Sequence, residues 1–340
     1  MARAVTFGEI MMRLNPKLYE RIVQADEFAV TYAGAEASVA VSLAQYGVDA
    51  AFVSKLPDTE VGQAAINSLR RYGVDTRGIV RCQDRIGIYF VEKGASQRPS
   101  RVIYDRADSA ISKAKRSDFD WGAIFAGADW FHFTGITPAL SPALVEICED
   151  ACKAAKGKGI TISCDLNYRN KLWSREAARE AMTKLMRYVD VCIANEEDAK
   201  DVFGIAAADT DVESGKLNRA GYESVARQLR EMFGFKAVAF TLRESISAND
   251  NLWSGMLYDG EKFCYSPKHS IHIVDRLGGG DSFGAGLIYS LMNGYDTQRA
   301  INFAVAASCL KHSIEGDFNL VTVKEVESLA GGNASGRVQR

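Results

Sequence analysis

Short apolar segments alternate with helix-length segments along most of this chain, and glycine stops the helices. Residues 4–7 open as a strand. Residues 35–46 have helical spacing, end at Gly47 and lead into a strand over 50–53. Residues 62–72 repeat the pattern and end at Gly73. Residues 130–134 form the next strand, and Ser141-Pro142 then supplies a helix cap and a first-turn proline. Leu144, Ile147, Cys148, Ala151 and Ala155 keep one helix face apolar until Gly157 and Gly159. Residues 160–165, 189–194 and 237–242 are short and apolar, as strands covered on both faces must be. Strand, helix, strand in repetition predicts a mostly parallel sheet between two helical layers, a fold of the α/β class. A hydrophobic content of 47% over 340 residues is enough to fill both interfaces.

Two stretches, 12–32 and 84–108, break the alternation. They hold strand-like pieces at 21–23, 28–31, 87–92 and 101–104 without crossover helices. They are predicted to form a small separate sheet, a lid over the C-terminal edge of the main one, where α/β ligands sit. Residues 252–258 and 261–265 flank Asp259-Gly260, the signal of a two-residue hairpin. No linker divides the chain. The expectation is one domain over residues 1–330, with residues 331–340 as a flexible tail.

Charge narrows the partners. There are 41 Lys and Arg against 43 Asp and Glu, a net charge of -2, which gives no electrostatic footprint for nucleic acid or an anionic membrane. No apolar run approaches the ~18 residues of a membrane span. The start of the chain has no signal-peptide core. Seven scattered cysteines with no CxxC argue against a disulfide framework or zinc site and for the cytoplasm. Cys148 and Cys152 share a helix face and read as buried apolar residues.

Residues 271–292 carry the most chemistry. An apolar strand runs to Asp275. Gly278, Gly279, Gly280 and Asp281 follow, then Phe283, Leu287, Ile288, Leu291 and Met292 at helical spacing. Three glycines at a helix start let backbone N–H groups converge on an anion, and the helix dipole adds to them. Phosphate oxygens suit such a place. Asp281 stands at its edge, in a position that favours the charged form. It reads either as a helix cap or as the base that takes a proton from an attacking hydroxyl. There is no GxxxxGK[ST], and position 283 is not glycine, so neither the P-loop nor the dinucleotide fingerprint is present.

With these residues in view, the chain resembles the ribokinase-like, or PfkB, family of carbohydrate kinases. Asp275-Arg276-Leu277-Gly278-Gly279-Gly280-Asp281 is similar to the family's D-T-x-G-A-G-D signature. Ala33-Gly34-Ala35-Glu36-Ala37-Ser38-Val39-Ala40, followed by Gly47, is similar to its glycine-rich first signature. The resemblance implies a three-layer sandwich with a small β lid, using ATP and Mg²⁺. It implies Asp281 as the base and the amides of Gly278, Gly279 and Gly280 as the anion hole. Asn195-Glu196-Glu197-Asp198 resembles the N-x-x-E motif, so Asn195 and Asp198 would organise Mg²⁺ through water. Thr241 and Arg243 would meet the nucleotide, and Asn302 would wall the adenine pocket.

Within the family the chain is most similar to 2-keto-3-deoxygluconate kinases. That likeness assigns Gly34, Ser38, Tyr89, Tyr104, Arg106, Arg169, Asp281 and Asp317 to the sugar, and Asn167 and Arg169 to the nucleotide. Arginine suits a sugar acid, because its planar fork matches a carboxylate. Ser38, Arg276, Gly279, Asp198 and Arg243 depart from the usual pattern, but the glycine run and its aspartate are intact. The expected activity is phosphorylation of the terminal primary hydroxyl of 2-keto-3-deoxygluconate. A neutral ketohexose, another keto-deoxy sugar acid, or a non-catalytic regulator on the same fold are the alternatives. Exposed lid edges predict a homo-oligomer.

Overall fold

In the computed structural model, which describes residues 2–195, 197–206, 219–333 and 336, the apolar segments assemble into a central sheet of ten strands among the described residues. Across the sheet the order is Phe263–Tyr265, Asp250–Tyr258, Ala237–Ser245, Val191–Ala194, Thr161–Asp165, Trp130–Thr134, Arg3–Phe7, Asp49–Pro57 and Ile79–Cys82. His269–His272 pairs with another stretch of Asp250–Tyr258. Every pairing from Ala237–Ser245 to Ile79–Cys82 is parallel. The hairpin edge beyond is antiparallel.

Side chains alternate across this sheet and feed two cores. Ala4 and Phe52 join the core under the helices Ala35–Gln45, Gly279–Met292 and Thr297–Lys311. Val5 and Val53 join the opposite core, under Pro142–Gly157, Arg175–Met186 and Arg219–Phe233. Trp130–Thr134 and Val191–Ala194 are buried at every position. The mostly parallel, three-layer α/β expectation therefore holds. Gly47 shows how the alternation is enforced: at φ +83° it lets Val48 N–H return to Leu43 O at 3.0 Å, ending one helix and releasing the chain to the sheet.

The second sheet has four strands among the described residues, in the order Ala29–Ala33, Met11–Asn15, Ile88–Glu92 and Arg101–Asp105. Its central strand Met11–Asn15 was not foreseen, because Arg13 interrupts the apolar pattern although it is buried. Residues 21–23 are not a strand. Glu92 accepts the Ile22 N–H at 3.0 Å and pairs with Arg21 at 3.2 Å, and the chain there makes a short 3₁₀ turn, Ile22–Gln24. The strand expected to reach Asp275 ends at His272. The turn after Tyr258 holds four residues rather than two, since Asp259 Oδ1 accepts the N–H groups of both Glu261 and Lys262 at 2.9 Å.

Candidate active site

The C-terminal ends of the parallel strands open into a cleft of about 310 Å³, walled on one side by residues of the small sheet. Two helix N-termini point at it. One begins after Gly278, whose φ of +80° is left-handed. Any Cβ at Gly278 would lie 2.0 Å from Asp317 O, and one at Gly279 would strike the His312 ring at 2.5 Å. At Gly280 a Cβ would meet nothing within 4 Å, so this backbone borders open space. Ser282 N–H is the first to bond back, to Gly278 O at 2.9 Å. The amides of Gly279, Gly280 and Asp281 precede it and have no carbonyl within the helix. The other N-terminus follows Gly34, where a Cβ would collide with Glu9 O at 1.8 Å.

Acids crowd the floor. Asp281 is half-buried, and no donor reaches its carboxylate among the described residues. Burial pushes its pKa up to about 8, with Glu36 and Asp317 adding to the shift while Arg169 and Lys311 oppose it. The dipole argument for a charged Asp281 is thus outweighed by desolvation and neighbouring carboxylates. Glu36 is fully enclosed, and one of its oxygens is crowded with donors: Oε1 accepts Thr134 N–H at 3.0 Å, Thr134 Oγ1–H at 2.8 Å and Thr137 Oγ1–H at 2.7 Å. Burial also raises Asp165, with Asp198 and Asp281 contributing.

On the side of the small sheet the Tyr89 and Tyr104 rings stack with centroids 6.1 Å apart. Tyr89 Oη donates to Asp317 Oδ2 at 3.0 Å. The Arg106 guanidinium lies 5.3 Å from the Tyr104 ring and pairs with Glu9 through Nε at 2.8 Å. Ser109 Oγ donates to the other Glu9 oxygen at 2.6 Å. Arg169 is exposed, donates to Tyr168 O at 2.9 Å and has no carboxylate within 4 Å among the described residues. It is therefore the arginine of the two whose charge is not already matched.

The model of the pfkB family of carbohydrate kinases matches residues 1–319. This chain belongs to the pfkB family. It is 37% identical to the 2-dehydro-3-deoxygalactonokinase of Haloferax volcanii over 98% of each chain. It is 28% identical to the 2-dehydro-3-deoxygluconokinase of Thermoproteus tenax, over 97% of this chain and 94% of that one. The crystal structure of the 2-dehydro-3-deoxygluconokinase of Thermotoga maritima superposes with a TM-score of 0.94 at 54% identity, covering 98% of this chain and all of that one. The chain is a carbohydrate kinase, as its motifs implied.

Of the residues those motifs singled out in this pfkB kinase, Gly34, Tyr89, Tyr104, Arg106, Asn167, Arg169, Asn195, Thr241, Arg243, Gly278, Gly279, Gly280, Asp281 and Asp317 all line the one cleft. Three others do not. Ser38 lies one helical turn behind Gly34, is 1% exposed, and its hydroxyl has no partner among the described residues. Asn302 sits on the helix Thr297–Lys311 with its side-chain oxygen taken by Gln298 at 2.8 Å. Asp198 is enclosed; its two oxygens accept Tyr168 N–H and Asn195 N–H, each at 3.1 Å. Both bonds tie it to the loops at Tyr168 and Asn195. Glu196 lies outside the described residues.

No group of three or more His, Cys, Asp or Glu placed to hold a metal occurs among the described residues. A cation held largely through water still fits. Asp165 borders the cleft beside Asn195, and its buried carboxyl is pressed by two further acids that a cation would relieve. Sequence reasoning passed over Glu9, Glu36 and Arg13. Glu36 had a visible signal, a single acid within a run of small residues at a helix start. Glu9 and Arg13 had none.

Proposed function

We propose that this enzyme transfers the γ-phosphate of ATP to the terminal primary hydroxyl of 2-keto-3-deoxygluconate. The observation that carries the reading is a carboxyl, Asp281, that no donor among the described residues reaches, adjoining the free amides of a glycine helix start in the same cleft as Arg169 and Arg106. Asp281 accepts the hydroxyl proton as the new O–P bond forms. The bond between the γ-phosphorus and the bridging oxygen breaks, and ADP leaves with that oxygen. The amides of Gly279 and Gly280 face the charge that develops on the transferring group. Magnesium bound with the nucleotide supplies charge neutralisation, and Asn195 and Asp165 are the residues that would hold its water. Thr241, Arg243 and Asn167 border the nucleotide's share of the cleft. Tyr89, Asp317 and Gly34 border the sugar's, with Arg169 and Arg106 for its carboxylate.

The names of the relatives support a keto-deoxy sugar acid. They also favour a second reading on the same chemistry: the galactonate epimer, named for the Haloferax volcanii relative. A further part of the proposal is a single domain whose small sheet acts as a lid and pairs with a second copy. Val30 and Ile103 on its two edge strands are 53% and 40% exposed, which supports that pairing. The seven free thiols support a cytoplasmic setting, and no described helix is long and apolar enough to cross a membrane.

The test is ADP release against 2-keto-3-deoxygluconate, 2-keto-3-deoxygalactonate and fructose, with and without Mg²⁺. Turnover with the keto-deoxy acids and little with fructose is expected. A preference for fructose, or no ADP release at all, overturns the reading.

A further inference from the structure

One buried cation has no part in the reading above. Arg13, at the middle of the strand Met11–Asn15, is 1% exposed. Its guanidinium forks across two carboxylates: Nη2 donates to Asp275 Oδ2 at 2.6 Å and Nη1 to Asp317 Oδ1 at 2.5 Å. The Asp275 carboxylate holds the glycine turn directly, and Asp317 borders that turn through its backbone. Asp275 Oδ1 accepts Leu277 N–H at 3.2 Å, and its Oδ2 accepts Gly316 N–H at 3.1 Å. Asp317 gives its second oxygen to Tyr89, and its backbone carbonyl is the surface that forbids a side chain at Gly278. Lys311, also fully buried, ties the same turn from below, donating to Asp275 O and Ile314 O at 3.2 Å each.

Enclosing these charges costs several kcal/mol per ion, and apolar side chains of equal volume would pack as well or better. What the ionic version adds is geometry. A planar fork fixes the separation of two carboxylates, which a lysine ammonium does not. The geometry fixed here belongs to residues 275–278, which aim the amides that follow. The arginine that fixes it comes from the other sheet, 262 residues away in sequence from Asp275 and 304 from Asp317.

We propose that Arg13 is a positioning residue for phosphoryl transfer: it locks the small sheet to the turn that aims the glycine amides, so the anion site holds its working shape only while that sheet is seated. This rests on the kinase reading above.

Arg13→Lys keeps the charge and removes the fork; Arg13→Ala leaves a guanidinium-shaped void. The readout independent of turnover is the affinity advantage of a non-hydrolysable ATP analogue over ADP, by calorimetry with Mg²⁺. Arg13→Lys should lose about tenfold of that advantage with ADP affinity nearly unchanged, and kcat should fall about 100-fold with a smaller change in sugar KM. Guanidinium ion should restore activity to Arg13→Ala and not to Asp281→Asn. If Arg13→Ala does not fold, Arg13→Lys decides alone. An unchanged analogue-over-ADP advantage in Arg13→Lys overturns the proposal, as does an equal loss of ADP and analogue binding, which marks a merely structural role. A wild type that binds neither nucleotide fells the kinase reading and this inference with it. A wild type that turns over alongside an unimpaired Arg13→Lys fells this inference alone.

Discussion

Two helix mouths meet at the cleft, and each carries a glycine cap and an acid in its first turn. At Gly34 the acid is Glu36, second in its helix; at Gly278 it is Asp281, third. Burial raises the pKa of both. They differ in their partners. Three donors converge on one oxygen of Glu36, whereas none reaches Asp281 among the described residues. A carboxyl gripped by three donors is held in place and holds its neighbours: Glu36 joins the Ala35–Gln45 helix to the end of Trp130–Thr134. A carboxyl left with open acceptor sites and an elevated pKa remains available to take a proton. Similar local sequence thus leaves the acid engaged at one mouth and open at the other.

The largest break in this contrast should come from Asp281→Asn. Its kcat should fall by about 10³-fold, at the upper end of general-base effects, with nucleotide affinity little altered by calorimetry. The same variant should be the more stable protein. The folded state holds a proton on Asp281 between its ordinary carboxylate range and about 8, so wild-type stability declines as pH rises through that window. The melting-temperature advantage of the variant should therefore grow from pH 5 to pH 8. Equal melting curves would show that Asp281 is not under that strain. Glu36→Ala should behave in the opposite way, losing about 3 kcal/mol in urea unfolding because it strands three buried donors, with a smaller loss of kcat in the fraction that folds.

Finer tests use the charges that couple the two acids. In the free enzyme kcat/KM should rise with pH along an acid limb near 8, because only ionised Asp281 accepts a proton. Glu36→Gln removes a neighbouring acid and should move that limb to lower pH. Arg169→Ala removes an opposing cation and should move it higher, while raising KM for a sugar acid about tenfold and leaving fructose unaffected. Limbs that do not shift would mean the groups titrate independently. The smallest effect belongs to Gly280→Ala. Ala35 already carries a Cβ at the other mouth, and the space beside Gly280 is open, so stability should change by less than about 0.5 kcal/mol. Nucleotide KM should rise a few-fold, since the new methyl borders the phosphate's approach.

The parallel sheet, the helix stops at Gly47 and Gly73, and the turn from Gly278 to Asp281 were legible because each depends on residues only a few positions apart. Met11–Asn15 was hidden by the opposite circumstance. Arg13 looks like a surface residue until Asp275 and Asp317 arrive from the far end of the chain. Ser38 and Asn302 matched motif positions or neighbourhoods, yet neither borders the cleft. Asp198 had the right acidity, but its two backbone N–H partners and its burial could not be read from spacing.

Sequence alone therefore determined the layers, the glycine turn at the cleft and the aspartate beside it, since spacing and glycine placement act through local backbone geometry. Tertiary structure decided which acid is quenched, which is left open, and how Arg13 joins the two sheets. Those outcomes depend on desolvation and on hydrogen-bond partners brought together from distant parts of the chain, and neither exists until the chain has closed around them.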